Sequence, residues 1–304
     1  MPRTTLISSS SGLVEDVGDP TSRRGLGVED FSPEFQLSFP YRGVFIWHVG
    51  HDEVVGDPNQ ILFVTGGEAF RLSTPRPGGF SELIVTPKQS VLREVTEATG
   101  FDLSDHPSFR ARSRMATPTI QHACAALLRE AQTQEATEAF ETEEQLLDLL
   151  RAAFAVELAA KTPSTRTRRL IRRTKEFLES AFRRSLRLSD VAEAVGASSA
   201  YLTDVFSRFE GVSLHRYVTQ LRLARALVEL PEAGDLTSLA LDLGFASHSH
   251  FTLAFRRAYG CTPSTFRARS NRKRKDVLLP STRHARGTGK LTSSETPAGQ
   301  VFIR

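Results

Sequence analysis

The sequence predicts a two-domain α+β chain, in which a small antiparallel β-barrel with accompanying helices precedes an all-α domain. Short β-rich runs separated by turn clusters fill the first part of the chain, and helical periodicity dominates after Pro87. Charge follows the same division: residues 165–275 hold 21 Lys/Arg and 10 Asp/Glu, whereas residues 1–164 hold 14 and 23. A basic part joined to an acidic part indicates one polyanion-binding domain and one domain with another role.

Length and composition narrow the class of protein. The chain has 304 residues, enough for two cores, and its 39% hydrophobic and 24% charged residues are ordinary for a globular protein. It contains neither an apolar stretch of the ~20 residues that span a membrane nor a signal-peptide core at its start. Two cysteines, Cys124 and Cys261, do not make a disulfide framework or a zinc cluster. We therefore expect a cytoplasmic protein with no membrane partner.

The N-terminal elements follow from the β-rich runs. Residues 1–30 lack periodicity and are expected to be a mostly disordered lead-in, and residues 31–161 are expected to form the first domain. Turn clusters rich in Gly, Pro, Asn and Asp separate the predicted strands, which is typical of an antiparallel barrel. The predicted strands are Phe35–Phe39, Val44–Val49, Gln60–Thr65, Ala69–Leu72 and Glu82–Val85.

Helices are predicted over Ser90–Ala98, Ile120–Ala131 and 141–161, and the last of these begins with a capping box at Thr142–Gln145. The apolar face of this third helix is wide. It fits either a helix buried between elements of its own chain or the seam of a homodimer, and patterning favours neither. Residues 162–167 are predicted to be a linker.

The C-terminal part contains an internal repeat. Ala192 and Gly196 recur 48 residues later as Ala240 and Gly244, and the pattern Phe-x4-Gly recurs after 49 residues. A small residue where two helices cross, then Gly at a sharp turn, then a Ser that caps the next helix is typical of a helix-turn-helix. Two copies indicate tandem helix-turn-helix units at about 187–209 and 235–258. An ordinary helical bundle is the alternative, and it does not account for the matched spacings.

The segment from Arg168 to Arg269, about a third of the chain, resembles the DNA-binding domain of the AraC/XylS family of bacterial transcription regulators. The ending Phe-x4-Gly-x-x-Pro is its most diagnostic part. The resemblance rests on Leu188–Gly196, Ser199–Leu202, Phe206-x4-Gly211, Leu221–Ala226, Ala240–Phe245, His250-Phe251 and Phe255–Pro263. It implies seven helices in residues 168–269, with a long helix at about Leu214–Leu230 and recognition helices at Ser199–Phe209 and His248–Tyr259. Residues 270–304 are expected to be a basic disordered tail.

This resemblance implies binding to double-stranded DNA through both recognition helices. Relatives often carry a long basic or amide side chain where this chain has Asp204 and Leu253, so their base preferences do not transfer. We expect Tyr201 and Tyr217 to lie in the core rather than to stack on bases. The candidates for reading bases are Ser199, Ala200, Thr203, Asp204, His248, Ser249, His250 and Leu253. The candidates for phosphate contact are Arg168, Arg169, Arg172, Arg173, Arg208, Arg256 and Arg257.

The first domain is similar to the sensor half of the same family, a cupin-like barrel followed by dimerising helices. The similarity lies in Gly56–Gln60 and Phe63–Pro75. It implies a small-molecule effector, a homodimer formed through the 141–161 helix, and RNA polymerase as a candidate partner. A barrel filled by its own side chains stays open as an alternative, which would make the protein a ligand-independent dimeric DNA-binding protein.

Catalytic chemistry is not predicted. His248 and His250 diverge on a helix, and strand alternation separates His48 from His51, so we predict no metal site, no cofactor and no enzyme activity. No nucleophile triad or phosphate-binding Gly-rich loop is present. A cupin-type metalloenzyme fused to a DNA-binding module is the least favoured alternative.

Overall fold

A computed structural model describes residues 1–19, 25–75, 78–98, 112–133, 139–155 and 164–278. Its strands are β1 (Arg3–Ser8), β2 (Gly12–Asp19), β3 (Gly25–Leu26), β4 (Asp30–Phe31), β5 (Gln36–Arg42), β6 (Phe45–Val49), β7 (Asp52–Gly56), β8 (Gln60–Val64), β9 (Ala69–Thr74), β10 (Phe80–Pro87) and β11 (Ser113–Met115). Its helices are α1 (Gln89–Ala98), α2 (Pro118–Thr133), α3 (Ala139–Phe154), α4 (Thr165–Ala181), α5 (Leu188–Val195), α6 (Ser199–Glu210), α7 (Leu214–Glu229), α8 (Leu236–Asp242), α9 (His248–Tyr259) and α10 (Pro263–Leu278).

The strands form two antiparallel sheets that pack face to face. One sheet has the strand order β1-β2-β10-β5-β8-β11, and the other has the order β3-β9-β6-β7, with β4 also paired to β9. Alternate residues of β6, Phe45 and Trp47, lie in one buried cluster with Leu62 of β8 and Phe80 of β10. Period-2 alternation thus directs one face of each sheet into a shared interior. The α+β fold class, with a small antiparallel β-barrel of the cupin-like kind before a helical domain, is confirmed.

The N-terminal lead-in predicted for residues 1–30 is wrong in part. Residues 3–8 and 12–19 form β1 and β2, and β2 pairs along its whole length with β10. Val14 and Val17 of β2 are buried. The error has a physical cause: β2 has a Gly- and Asp-rich sequence of weak intrinsic β-propensity and is specified by β10, about 65 residues further along the chain, and β1 pairs with β2.

Three helices cover the outer face of the six-stranded sheet. The residues of β5 and β8 that alternate with the inward-facing ones, such as Leu37 and Phe63, pack against α1, α2 and α3. Cys124 of α2 lies in this cluster, as expected, and burial raises the pKa of its thiol. The helix predicted at 141–161 corresponds to α3, which begins at Ala139, so Thr142 lies within the helix and does not cap it. Residues 156–163, which include the end predicted near Lys161 and part of the predicted linker, lie outside the described residues.

The apolar face of α3 is used within its own chain. Leu146, Leu149, Leu150, Ala153 and Phe154 are buried in the cluster beneath the sheet. This packing is the first of the two alternatives that patterning left open. A homodimer formed through this helix stays a prediction, and over residues 143–155 the apolar side chains that would have supplied its seam are largely buried already.

The C-terminal part is helical and has a core of its own. Helices α4 to α10 supply the seven helices that the resemblance implied, and α7 joins the two units. The predicted linker is shorter than expected, because α4 begins at Thr165 with Ser164 as its cap. The expected disordered tail from 270 is also wrong over residues 270–278, which continue α10, and residues 279–304 lie outside the described residues. Phe206, Tyr217, Phe251 and Phe255 are fully buried and pack in one cluster.

The two parts of the chain meet through a buried polar contact. The Tyr217 hydroxyl of α7 donates to Asp57, and the Asn59 side chain donates to the Tyr217 backbone carbonyl over 3.0 Å. Gln121 of α2 links the same region to α9, because the Tyr259 hydroxyl donates to its side-chain oxygen over 3.2 Å. Asp57 is completely buried, and burial raises the pKa of its carboxyl.

Candidate nucleic-acid interface and inter-sheet cavity

The two helix-turn-helix units are built from the same local signals. Gly196 follows α5 with φ 69°, and its N–H donates to the carbonyls of Ala192 and Glu193. Gly244 follows α8 with φ 84°. Ser198 caps α6 and Ser247 caps α9, each through a side-chain oxygen that accepts a backbone N–H. The observed bounds of α6 and α9 agree with the predicted recognition helices to within one residue.

Each recognition helix buries one face and exposes the other. Leu202, Val205 and Phe206 of α6 are buried, and so are Phe251 and Phe255 of α9. The predicted base-reading residues lie on the opposite faces: Ala200, Thr203, Asp204, Ser249, His250 and Leu253 are exposed, and Ser199 and His248 are partly exposed. The geometry therefore brings each set onto one accessible helix surface, as recognition of a major groove requires.

Tyr201 is a correction to the sequence analysis. It was expected in the core, but its side chain is 43% exposed on α6, next to Ala200. Tyr217, predicted in the same way, is completely buried. The signal that separates them is the capping serine: Ser198 places Tyr201 in the first turn of α6, one residue before the buried Leu202. An exposed aromatic ring here adds an apolar and hydrogen-bonding surface that the sequence analysis did not assign to the interface.

The polar groups of α6 are largely engaged within the helix. Arg208 donates two hydrogen bonds to Asp204, of 2.9 and 2.7 Å, across one helical turn. The Thr203 hydroxyl donates to the carbonyls of Ser199 and Ala200. In α9, by contrast, His248 and Ser249 have no side-chain hydrogen bond to the described residues, and the His250 ring packs edge-on against Phe245. The N-terminal turn of α9 thus offers more unengaged polar groups than α6 does.

Four of the seven arginines predicted to contact phosphate are engaged within the described part of the protein, and three are not. Arg168 pairs with Asp52 over 2.7 Å, and Arg172 pairs with Glu53 over 3.4 Å. Both therefore turn towards the β-domain, which is the part of the chain formed by strands β1–β11. Arg208 pairs with Asp204 and Arg173 donates to the Ala194 carbonyl. The remaining candidates are exposed and form no ion pair with the described residues: Arg169, Arg256 and Arg257. Long-range partners on another domain could not be identified from sequence.

A cavity lies between the two sheets of the β-domain. Its walls include Phe45, Trp47 and Phe70. Four polar side chains from the six-stranded sheet also line it: Arg3, Gln36, Ser38 and Glu82. Glu82 is buried and accepts a hydrogen bond from the Ser38 hydroxyl. Burial raises the pKa of Glu82 to about 7.

Glu82→Gln should stabilise the protein at pH 8 by about 2–3 kcal/mol and change stability little at pH 4.5. The folded state binds a proton at Glu82 up to about pH 7, whereas the unfolded chain releases it near pH 4.5. Wild-type stability is therefore lost as pH rises between these values, and the neutral amide does not incur this cost. Urea unfolding at the two pH values measures the difference, and a gain that is equal at both would contradict the assignment.

The histidines of the β6–β7 turn do not assemble a metal centre. His48 Nε2 lies 2.6 Å from Ser73 Oγ, and His48 Nδ1 lies 3.7 Å from the Glu53 carboxylate. Burial lowers the pKa of His48. In the described ranges, no group of three His, Cys, Asp or Glu side chains is arranged to hold a metal ion. Within those ranges there is also no helix of the length and apolarity needed to cross a membrane.

Comparison with known proteins agrees with the repeat. Residues 191–269 match the family described as "Helix-turn-helix domain". The probable transcription factor PqrA of Proteus vulgaris is 32% identical over 95 residues, which cover 30% of this chain and 78% of PqrA. The chain belongs to the AraC/XylS family of transcription regulators.

Further AraC/XylS relatives match over the same part of the chain. The Msm operon regulatory protein of Streptococcus mutans is 29% identical over 103 residues, 33% of this chain and 37% of that protein. The regulator ExsA of Pseudomonas aeruginosa is 30% identical over 100 residues, 33% of this chain and 36% of that protein. This chain thus aligns with only about a third of the length of these relatives.

Solved structures differ in how much of this chain they cover. The C-terminal domain of AraT from Geobacillus stearothermophilus is 25% identical to this chain, with a TM-score of 0.32. The match covers 33% of this chain and 84% of the AraT chain. ToxT from Vibrio cholerae is 14% identical and covers 86% of this chain and 98% of that chain, with a TM-score of 0.35. Neither likeness bears on Asp204, whose carboxylate pairs with Arg208 of the same helix over 2.7 Å.

Proposed function

We propose that this protein is a sequence-specific DNA-binding transcription regulator, and not an enzyme, whose helices α6 and α9 enter successive major grooves. The observation that carries the proposal is the pair of capped helices that bury one face in a common core and expose the predicted reading face. Two such helices on one rigid domain can read unlike half-sites about one helical turn apart. Its target being chromosomal DNA, we also propose a cytoplasmic location.

The unengaged groups of α9 favour that helix as the main carrier of base specificity. N-terminal residues of a recognition helix contact base edges, and His248 and Ser249 occupy the first turn of α9. In α6 the Asp204 carboxylate would have to leave Arg208 before accepting from a cytosine amino group. Affinity would come mainly from phosphate contacts, for which Arg169, Arg256 and Arg257 are unpaired with the described residues.

The cavity between the sheets supports control by a small-molecule effector. Its lining is mainly apolar with a few polar groups, which is the usual composition of a ligand site. A buried polar contact then joins the β-domain to α7, so a change in the β-domain has a path to both units. A homodimer and a contact with RNA polymerase stay predictions.

Selection of bound sequences from random duplex DNA, at physiological salt and with the full chain, tests the proposal. Two conserved boxes whose centres lie about 10 bp apart would support it. Flat enrichment across the pool would contradict sequence-specific binding and would favour the ligand-independent binder that holds all duplexes similarly.

His248→Ala should weaken binding to the selected site by about 1–3 kcal/mol and leave binding to unrelated duplex nearly unchanged. Arg257→Ala is the matched variant on the same helix. As a phosphate contact, it should weaken binding to both duplexes alike and reduce the salt slope by about 1. Fluorescence anisotropy on both duplexes over a salt series measures the two effects. Equal losses for His248→Ala on the two duplexes would remove its base-reading role.

A further inference from the structure

The inter-sheet cavity carries a chemical preference that the proposed function does not specify. Its polar end is acidic, because Glu82 of β10 lies within it and Asp30 of β4 also lines it. Arg3 of β1 is the basic side chain of the lining, and it is paired with Glu15 over 3.2 Å. The four charged groups together carry a net charge of −2 when all are ionised.

Glu82 is a buried carboxylate with no cation in direct contact within the described part of the chain. The residue is 5% exposed, and its carboxylate accepts a hydrogen bond from the neutral Ser38 hydroxyl. An ionised carboxylate at this depth is unfavourable unless it is paired. The other charged or hydroxyl side chains that line the cavity are Arg3 on β1, Asp30 on β4 and Ser38 on β5, and Arg3 is already paired with Glu15.

Trp47 supplies an independent sign that the cavity is built for a ligand. Its ring is 2% exposed and forms part of the cavity wall. The indole N–H is buried and has no hydrogen-bond acceptor among the described residues. A buried indole N–H normally has a partner, so an acceptor atom on a ligand would satisfy it. Phe45 and Phe70 complete an aromatic lining that also suits a cationic group.

We propose that this cavity binds a small organic cation, an amine or amidine on an aromatic or aliphatic body, whose charged nitrogen pairs with the Glu82 carboxylate and whose acceptor atom receives the Trp47 N–H. Only the role of this ligand in controlling DNA binding rests on the proposed function. A carboxylate ligand would place like charges together inside the cavity, and a neutral ligand would leave Glu82 without a counter-charge.

Trp47 is the single tryptophan of the chain, so its emission reports on the cavity without background. The probes are 4-methoxybenzamidine, 4-methoxybenzamide and 4-methoxybenzoate, which share one body and carry a positive, no and a negative charge. Titration of the full-length protein, without DNA, should give a saturable emission change with the amidine. Its affinity should exceed that of the amide and the benzoate at least tenfold.

Two variants and the pH assign the effect to Glu82. Glu82→Gln should reduce the preference for the amidine to less than twofold, and the exposed control Glu144→Gln on α3 should keep it. With a pKa of Glu82 of about 7, the amidine should bind about tenfold more weakly at pH 6 than at pH 8, because the amidine stays charged throughout.

Tighter binding of the amide or benzoate, or no saturable response to the amidine, would overturn the proposal. A preference for the amidine that survives in Glu82→Gln would overturn the role of that carboxylate. Because the titration contains no DNA, these failures are separate from failure of the DNA selection. A protein that selects two DNA boxes but ignores the amidine is a regulator with a different ligand chemistry. A protein that binds the amidine without selecting DNA is not a sequence-specific DNA-binding regulator.

Discussion

Gly244→Ala should destabilise the DNA-binding domain by about 3–5 kcal/mol, whereas Gly196→Ala, at the matched position of the first unit, should cost about 1 kcal/mol. Both glycines have positive φ, 84° and 69°, so both substitutions place an alanine in the left-handed region. The difference comes from the surroundings. A Cβ at Gly196 would meet nothing within 4 Å, but a Cβ at Gly244 would lie 2.6 Å from the Phe182 carbonyl oxygen and 2.7 Å from that of Arg183.

The backbone at the end of α4 has little freedom to move away from Gly244. Arg222 of α7 donates to the Phe182 carbonyl over 2.7 Å and to the Arg184 carbonyl over 3.0 Å. Arg183 in turn donates to the Asp242 carbonyl over 3.3 Å, at the end of α8. An added methyl group must therefore displace the turn between α8 and α9, or break these bonds, and either change costs free energy.

Urea unfolding followed by circular dichroism measures both variants, and DNA binding gives the second readout. The displaced turn precedes Ser247 and α9, so Gly244→Ala should also reduce affinity for the selected site under conditions where the protein is still folded. Gly196→Ala should leave the orientation of α6 unchanged. Similar losses of stability in the two variants would mean that φ alone, and not the contact with α4, decides the cost.

The glycines also show which parts of the fold the sequence could predict. The spacing of Ala, Gly and the capping Ser located α6 and α9 to within a residue, because these signals act within one turn of the chain. The sequence did not distinguish Gly196 from Gly244, since the contact that separates them comes from α4, about 60 residues earlier in the chain. Local chemistry therefore predicted the helices, whereas the difference in stability expected between the two glycine variants comes from a tertiary contact.

The same distinction applies to the candidate sites. Arg168 and Arg172 were assigned to phosphate from the basic character of α4, but their acidic partners Asp52 and Glu53 lie more than 110 residues earlier. Glu82 was predicted only as part of a strand. Its place in the lining of a cavity depends on β10 pairing with both β2 and β5, which strand alternation alone cannot specify. A residue pattern thus indicates which face is buried, but not which charged groups meet there.

Lys175→Met should lower the free energy of unfolding by about 3–5 kcal/mol, although the substitution keeps most of the apolar stem. Lys175 of α4 is 4% exposed, and its ammonium lies 2.7 Å from a Glu210 carboxylate oxygen at the end of α6. Its charge also acts on Asp57, where it lowers a pKa that burial raises. One buried ammonium therefore serves two carboxylates, and its removal leaves both without a counter-charge.

The position of this cluster explains why the loss of stability in Lys175→Met should be large. Asp57 comes from the β-domain, Glu210 and Lys175 come from the helical domain, and Tyr217 donates its hydroxyl to Asp57 between them. Burial and the nearby carboxylates raise the pKa of Tyr217, so the phenol stays a donor and cannot supply positive charge in place of the lysine. In Lys175→Met the protein must protonate a carboxylate, admit water or separate the domains, and each of these costs stability.

Arg151→Met is the matched control, because it also replaces a long cation by methionine. Arg151 pairs with Asp148 over 3.3 Å on α3, but the two side chains are 52% and 70% exposed, so the loss should stay below about 0.5 kcal/mol. The stability of Lys175→Met should recover partly as the pH falls, because burial raises the pKa of Asp57 and its protonation removes one of the two unpaired charges. Urea unfolding at pH 7.5 and pH 5 measures both effects. A Lys175→Met loss no larger than that of the control would mean that water, and not the lysine, already balances Asp57 and Glu210.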